Sequence, residues 1–294
     1  VFEQVANSIP TPAFVYEEEF IRRQCEHIRQ IADKAGCKLL YSLKALTLPW
    51  VLELIEPHVQ GFSASSLYES IIARDTLKMD GTVHLTTPGL RPHEVREISE
   101  YCDFLSFNSI SQWQRHKDDL APNLEIGLRV NPEISFLDDS RYDPCRAHSK
   151  LGASIRSVKE SLEHGSPNLR GLSGLLFHNN CNSPDFQELL LTVKKLETEI
   201  GCVLDNSQWI NLGGGYLFDG DSVNLDSFYE AVWTLKSEHN LEVYIEPGST
   251  FVRDAGFLVS TVLDLVENGG KEIAILDTSV NHLPESFEYD WRPD

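Results

Sequence analysis

Four short stretches of this sequence set a reactive or permissive group at the end of an apolar run. The first is Lys44, in Tyr41-Ser42-Leu43-Lys44-Ala45. A lysine held between an apolar strand and a helix start can have a depressed pKa, which suits an amine that forms Schiff bases. The second is His178, in Phe177-His178-Asn179-Asn180-Cys181. A histidine there can stack on a flat ligand or move a proton. The third is Leu212-Gly213-Gly214-Gly215-Tyr216. Consecutive glycines let backbone N–H groups converge without Cβ hindrance, which suits a phosphate. No G-x-G-x-x-G occurs there and no Lys-Ser/Thr follows, so neither a dinucleotide fingerprint nor a P-loop is present. The fourth is Glu246, in Ile245-Glu246-Pro247-Gly248-Ser249-Thr250. Its proline ends the strand and fixes the carboxylate at the strand mouth, where a buried Glu can hold a proton on a heterocyclic nitrogen. Singly, each has a plain structural explanation: a surface lysine, a loop histidine, a tight turn, a strand-end carboxylate with any partner.

The elements that must position them alternate along the chain. After an extended segment at Ala13–Tyr16, eight strands are expected. They are Lys38–Leu43, Gln60–Ser63, Thr82–Thr86, Asp103–Phe107, Glu125–Val130, Gly171–Phe177, Gln208–Leu212 and Glu242–Glu246. Helical periodicity falls between them at Glu17–Lys34, Pro49–Ile55, Ser65–Leu77, Pro92–Glu100, Ser111–Asp119, Ser154–His164, Pro184–Ile200 and Asp226–His239. Ser109, Ser183 and Asp226 stand where helix starts need caps. Near-continuous apolar strands fit a parallel sheet covered on both faces. Eight such units in about 230 residues match an α/β fold of the TIM type, a (β/α)₈ barrel; a doubly wound open sheet is the competing arrangement. The barrel is expected over residues 17–250. Residues 1–16 and 251–294 are expected to form part of a second, β-rich domain. There Phe251–Val266 reads as one long β-rich run, followed by the turn signal Asn268-Gly269-Gly270 and a strand at Glu272–Leu276.

On a barrel, the four stretches follow strands one, six, seven and eight and share one rim, the rim that carries chemistry in this architecture. Lysine for an aldehyde, glycines for a phosphate and a carboxylate for a ring nitrogen are together the handles of pyridoxal 5′-phosphate. The cysteines, six in number, contain no C-x-x-C pair and suggest neither a zinc site nor a disulfide framework, so no metal is expected and the thiols read as reduced in a cytoplasmic protein. With 25 basic and 45 acidic residues the net charge is −20, which argues against a nucleic-acid or anionic-membrane partner and suits a cationic substrate. No apolar run reaches the ~18 residues that span a bilayer, and Val1–Pro12 lacks the order of a secretory signal.

The order Lys44, His178, Gly213-Gly214-Gly215, Glu246-Pro247-Gly248 resembles the fold-type III pyridoxal-phosphate enzymes, among them alanine racemase, ornithine decarboxylase and diaminopimelate decarboxylase. More narrowly, Tyr142-Asp143-Pro144-Cys145 leading to Ser149-Lys150-Leu151-Gly152 resembles the carboxynorspermidine/carboxyspermidine decarboxylases. So do Phe62-Ser63-Ala64-Ser65-Ser66-Leu67-Tyr68-Glu69 and Leu276-Asp277-Thr278-Ser279 with His282-Leu283-Pro284-Glu285. The resemblance runs from Thr11-Pro12 to Arg292-Pro293. It implies a homodimeric enzyme that decarboxylates a cationic, carboxylated polyamine. Lys44 and His178 would be catalytic, Lys44 through a Schiff base and His178 stacked on the pyridine ring. Gly213, Gly214 and Gly215 would bind the phosphate, and Glu246 would pair with the ring nitrogen. Arg129, in Leu128-Arg129-Val130-Asn131-Pro132, would support the cofactor, and Glu246 and Asp277 would meet the substrate. A carboxylate on the ring nitrogen keeps it protonated, which favours decarboxylation over racemisation.

Several positions depart from that family. Its later segment, a reactive cysteine followed by an acid, has no counterpart before Asp294, and neither has its late tyrosine. Cys145 and Cys181 do not match that segment and read as buried inert thiols. Ser249 stands where an arginine is usual, and Ser63 where ornithine-type enzymes carry an acid. The lack of both late segments, like the absent initiator Met, leads one to expect a chain cut short relative to the family. A non-catalytic cofactor-binding protein or inactive partner subunit, and a racemase or other lyase on the same barrel, stay open as alternatives.

Overall fold

The structure, a computed structural model, describes residues 8–78, 80–163, 169–218, 223–284 and 286. The chain divides into two compact units. One comprises Val1–Phe20 with Asp254–Asp294, the other Ile21–Arg253. The elements in chain order begin with β1 (Ala13–Tyr16), α1 (Glu18–Ala35), β2 (Lys38–Ser42), α2 (Pro49–Ile55), β3 (Gly61–Ala64) and α3 (Leu67–Thr76). Next come β4 (Thr82–Thr86), α4 (Val95–Tyr101), β5 (Phe104–Phe107), α5 (Ile110–His116), β6 (Glu125–Asn131), β7 (Ala153–Ser154) and α6 (Ile155–Glu163). Then follow β8 (Gly174–Leu176), α7 (Gln187–Asp205), β9 (Trp209–Asn211), α8 (Asp226–Ser237), β10 (Glu242–Ile245) and α9 (Ser249–Val252). The last are β11 (Gly256–Val259), β12 (Val262–Asn268) and β13 (Lys271–Leu276).

Among the described residues, β2, β3, β4, β5, β6, β8, β9 and β10 pair in parallel around a closed ring, with β5 on β6 and β10 on β2 completing the circle. The short β7 adds to the end of β6 through Val130 and Asn131. The expected TIM-type barrel is therefore present, and the open sheet is excluded by that closure. Its strands are buried nearly throughout, because helices cover the outside and side chains fill the inside. α1 shows how the outer layer is made: Ile21, Cys25, Ile28, Ile31 and Ala32 fall on one face and are buried.

The barrel centre is packed around Trp209, with Leu40, Tyr244 and Phe104. A Cβ on Gly127 or Gly174 would lie 2.4 Å or 2.1 Å from the indole, so the ring occupies space that only glycine leaves open. His84 stacks on Phe104 with centroids 4.0 Å apart. This filled floor confines chemistry to the rim above it.

The expected boundaries shift by local chemistry. Ser109 caps α5 as anticipated, its hydroxyl accepting from Gln112 N. α8 opens at Asp226 as anticipated, and Asn224 Oδ1, two residues earlier, accepts from Asp226 N. Ser183 takes Asp185 N, and the helix itself starts three residues after Pro184 and runs on to Asp205 through a break at Ile200. In the other unit, β1 pairs antiparallel with β11, and β12 pairs antiparallel with β13 across the Gly269-Gly270 turn. The single β-rich run expected over Phe251–Val266 is instead the end of α9, then β11, then the start of β12. β-branched composition does not by itself distinguish one strand from two with a corner between them.

Candidate active site

The rim residues are brought together by the strand ladder. β2 ends at Ser42, and Leu43–Ala45 makes one 3₁₀ turn that buries Leu43 and turns Lys44 outward. Thr47 Oγ1 donates to Leu43 O at 2.6 Å and Tyr41 OH to Leu46 O at 3.1 Å, which fixes that turn. Lys44 follows the strand and precedes the next helix, as the sequence led one to expect, and is exposed. Ser42 N donates to Pro247 O at 3.1 Å, and a Cβ on Gly248 would meet Ala45 Cβ at 3.0 Å. The lysine turn is thus packed directly against Glu246-Pro247-Gly248.

Glu246 continues β10 into the mouth. Its N–H donates to Gly213 O at 2.9 Å, tying it to the glycine turn, and the residue is 7% exposed. Its Oε2 is buried without a hydrogen-bond partner. A carboxylate oxygen left so is costly unless something outside the chain's own set completes it. Arg129, from β6, is buried as well. Burial pushes its guanidinium down from the ordinary range, while the charge of Glu246 opposes that shift.

His178 follows β8. Its Nδ1 accepts from Gly214 N at 3.0 Å, so any proton on the neutral ring sits on Nε2. Burial, then the positive charges of Arg129 and Lys44, hold its pKa down to about 3. The ring is therefore neutral at physiological pH. It can present a flat face and one N–H, and it cannot act there as a cationic acid.

The glycine turn shows why glycine is required. Gly213 and Gly215 have φ of +72° and +87°, the left-handed region. A Cβ would lie 2.5 Å from Phe177 O at the first and 2.1 Å from Asn180 O at the second. Gly213 N donates to Asn211 Oδ1 at 2.8 Å. Ser183 N donates to Gly215 O at 2.9 Å and Leu217 N to Ser183 O at 2.9 Å, so the loops after β8 and β9 form one hydrogen-bonded unit. Glu188 strengthens it by accepting from Asn180 Nδ2 and, at 2.7 Å, from Ser183 Oγ. Tyr216 OH adds a bond to Asn179 Oδ1 at 3.3 Å.

Asp277 belongs to the other unit. There its carboxylate accepts from Thr11 Oγ1 at 2.5 Å, Ser260 Oγ at 2.7 Å and Thr261 N at 2.9 Å, and the two hydroxyls hold it below the usual carboxylate range. The Y-D-P-C and S-K-L-G stretches lie in the long connection after β6 and act as its internal frame. Asp143 accepts from Ser135 Oγ at 2.5 Å and from Cys145 N at 2.7 Å. Asn108, at the end of β5, donates to Lys150 O at 2.7 Å and accepts from Gly152 N at 2.8 Å. Cys145 is buried, and burial pushes its thiol up to about 12, in keeping with an inert group.

Sequence reasoning missed Asn211, Asn108, Glu188 and Asn179. An asparagine two residues before a glycine was the one available signal for Asn211. The donor set fits pyridoxal 5′-phosphate: a buried carboxylate oxygen awaiting a donor, a left-handed glycine turn, a flat neutral imidazole and an amine share one mouth. Among the described residues no cluster of His, Cys, Asp and Glu could hold a metal.

Comparison with known proteins gives concordant results. The family profile "Pyridoxal-dependent decarboxylase, pyridoxal binding domain" matches residues 18–253. The chain is 32% identical, over 96% of its length and 74% of the relative's, to a carboxynorspermidine/carboxyspermidine decarboxylase of Herminiimonas arsenicoxydans. It is also 32% identical, over 98% of its length and 73% of the relative's, to a carboxyaminopropylagmatine decarboxylase of Synechocystis sp.. The crystal structure of carboxynorspermidine decarboxylase from Campylobacter jejuni, complexed with norspermidine, superimposes with a TM-score of 0.85 at 27% identity, over 97% of this chain and 72% of that one.

Proposed function

The chain belongs to the pyridoxal-dependent decarboxylases, and from that premise we propose that it removes CO₂ from a carboxylated polyamine of the carboxynorspermidine or carboxyspermidine type. The observation that carries the reading is the unpartnered Glu246 oxygen, buried at the mouth and tied through backbone bonds to both the glycine turn and the lysine turn. Bound pyridoxal 5′-phosphate supplies the electron sink that takes up the pair left by departing CO₂. Lys44 would hold the cofactor's aldehyde carbon, and its exposure leaves the amine open to exchange with an incoming substrate amine. Glu246 would hold the ring nitrogen with its proton. His178, neutral and fixed by Gly214 N, would cover one ring face and exclude water. Arg129 would add a buried positive charge that Glu246 feels, and Gly213 to Gly215 the phosphate turn.

The net charge of −20 favours approach of a polycation. Asp277 is proposed as one acidic contact for its distal amines. We place the protein in the cytoplasm as a homodimer. Free thiols at all six cysteines accord with a reducing compartment, and among the described residues no helix is long and apolar enough to cross a membrane.

The test is CO₂ release from carboxynorspermidine, carboxyspermidine, carboxyaminopropylagmatine and diaminopimelate, with cofactor supplied. Release from the first two, and none from diaminopimelate, is expected. Release from carboxyaminopropylagmatine alone would reassign the substrate to a guanidino polyamine, and release from diaminopimelate alone would overturn the polyamine assignment.

A further inference from the structure

The glycine turn does not present three free N–H groups. Two are already used by side chains: Gly213 N donates to Asn211 Oδ1 at 2.8 Å, and Gly214 N to His178 Nδ1 at 3.0 Å. Gly215 N alone of the three has no hydrogen-bond partner among the described residues. Asn211 is fully buried. Its backbone is held on both sides, facing Leu176 of β8 and Tyr244 of β10, and its carbonyl accepts from Phe177 N at 3.0 Å. Oδ1 is therefore a fixed acceptor on a rigid strand end. Nδ2 of the same carboxamide is buried and unpartnered.

We propose that Asn211 is a positioning residue for the cofactor's phosphate. Its Oδ1 pins the first glycine, which leaves Gly215 N–H as the donor that the turn offers an anion. This rests on the reading of Gly213–Gly215 as the phosphate site. The physical reason lies in the glycine itself. Without the pin, Gly213 N–H is a buried donor with no acceptor, and a residue with no Cβ rotates readily to find another. The turn then loses the one shape that aims Gly215 outward. What the pin needs is a neutral acceptor oxygen, because a charged one would be buried without a partner beside the phosphate.

The test measures affinities of the apo-protein for pyridoxal 5′-phosphate and for pyridoxal, which lacks the phosphate. Asn211→Ala is expected to weaken pyridoxal 5′-phosphate by about ten-fold or more, the effect of one unmade buried hydrogen bond, and to leave pyridoxal within about three-fold. The ratio of the two affinities within one variant is insensitive to a fraction of unfolded protein. Should Asn211→Ala fail to fold, Asn211→Ser, whose hydroxyl is too short to reach, carries the same comparison. Two outcomes would overturn the proposal: equal loss for both ligands, or no loss for either. A wild-type protein that binds neither ligand would instead overturn the cofactor assignment itself.

Discussion

Lowering the pH from 7.5 to 5 should destabilise the folded barrel through two histidines that cannot charge in place. His84 lies inside the barrel, 4% exposed, stacked on Phe104 and tilted against Tyr244 at 4.6 Å. Burial, and then the charge of Lys38, hold its pKa down to about 3 from 6.5. His178 at the mouth is held to about 3 from the same starting value. Below pH 6.5 the unfolded chain takes up two protons that the folded chain refuses. The stability present above that pH is therefore lost as the pH falls toward 3, at up to about 1.4 kcal/mol per pH unit for each residue. Integrated from pH 7.5 to 5, each contributes about 2 kcal/mol, or about 4 kcal/mol together, a large share of a typical domain's stability. Carboxylates with depressed values, Asp277 and Glu242 among them, lose their contribution only at lower pH, so this window belongs to the histidines; His58, whose pKa burial also pushes down, adds to it in the same direction. Urea unfolding at several pH values measures the effect, and His84→Phe should remove its share, about 2 kcal/mol, whatever its own offset. A stability that is flat between pH 7.5 and 5, or a slope unchanged by His84→Phe, would refute the reasoning.

Two further outcomes follow from packing. Trp209→Ala should cost about 3–5 kcal/mol, read from thermal or urea unfolding, because Gly127 and Gly174 have no side chains with which to fill the space it leaves. Gly215→Ala should abolish tight pyridoxal 5′-phosphate binding while leaving the barrel folded by circular dichroism. At φ +87° an added Cβ would lie 2.1 Å from Asn180 O, and the two loops would have to part.

What the sequence showed was whatever depends on neighbours along the chain. The barrel was legible because each parallel strand is a short apolar run and each covering helix has one buried stripe, as α1 does with Ile21, Cys25 and Ile28. That Lys44, His178, the three glycines and Glu246 would stand at strand ends was legible because each directly follows such a run, and on a barrel all those ends share a rim. What could not be read depends on which strands lie side by side. Asn211 and His178 spend the first two glycine N–H groups on themselves, a consequence of β8, β9 and β10 meeting in space. The 3₁₀ turn that buries Leu43 and exposes Lys44 was likewise not encoded in the spacing of the strand before it. The Y-D-P-C stretch pointed to the right relatives, while its residues hold a loop together through Asp143, a role that spacing does not encode.

Everything at the barrel mouth turns on one proposed covalent bond, between Lys44 and the aldehyde carbon of pyridoxal 5′-phosphate. Borohydride reduction of the cofactor-loaded protein, followed by peptide mass mapping, shows which side chain holds it. The reduced cofactor should stay on the peptide containing Lys44, and Lys44→Ala should carry none. Cofactor fixed to Lys38 or any other lysine, or bound tightly with no reducible link, would rule that bond out.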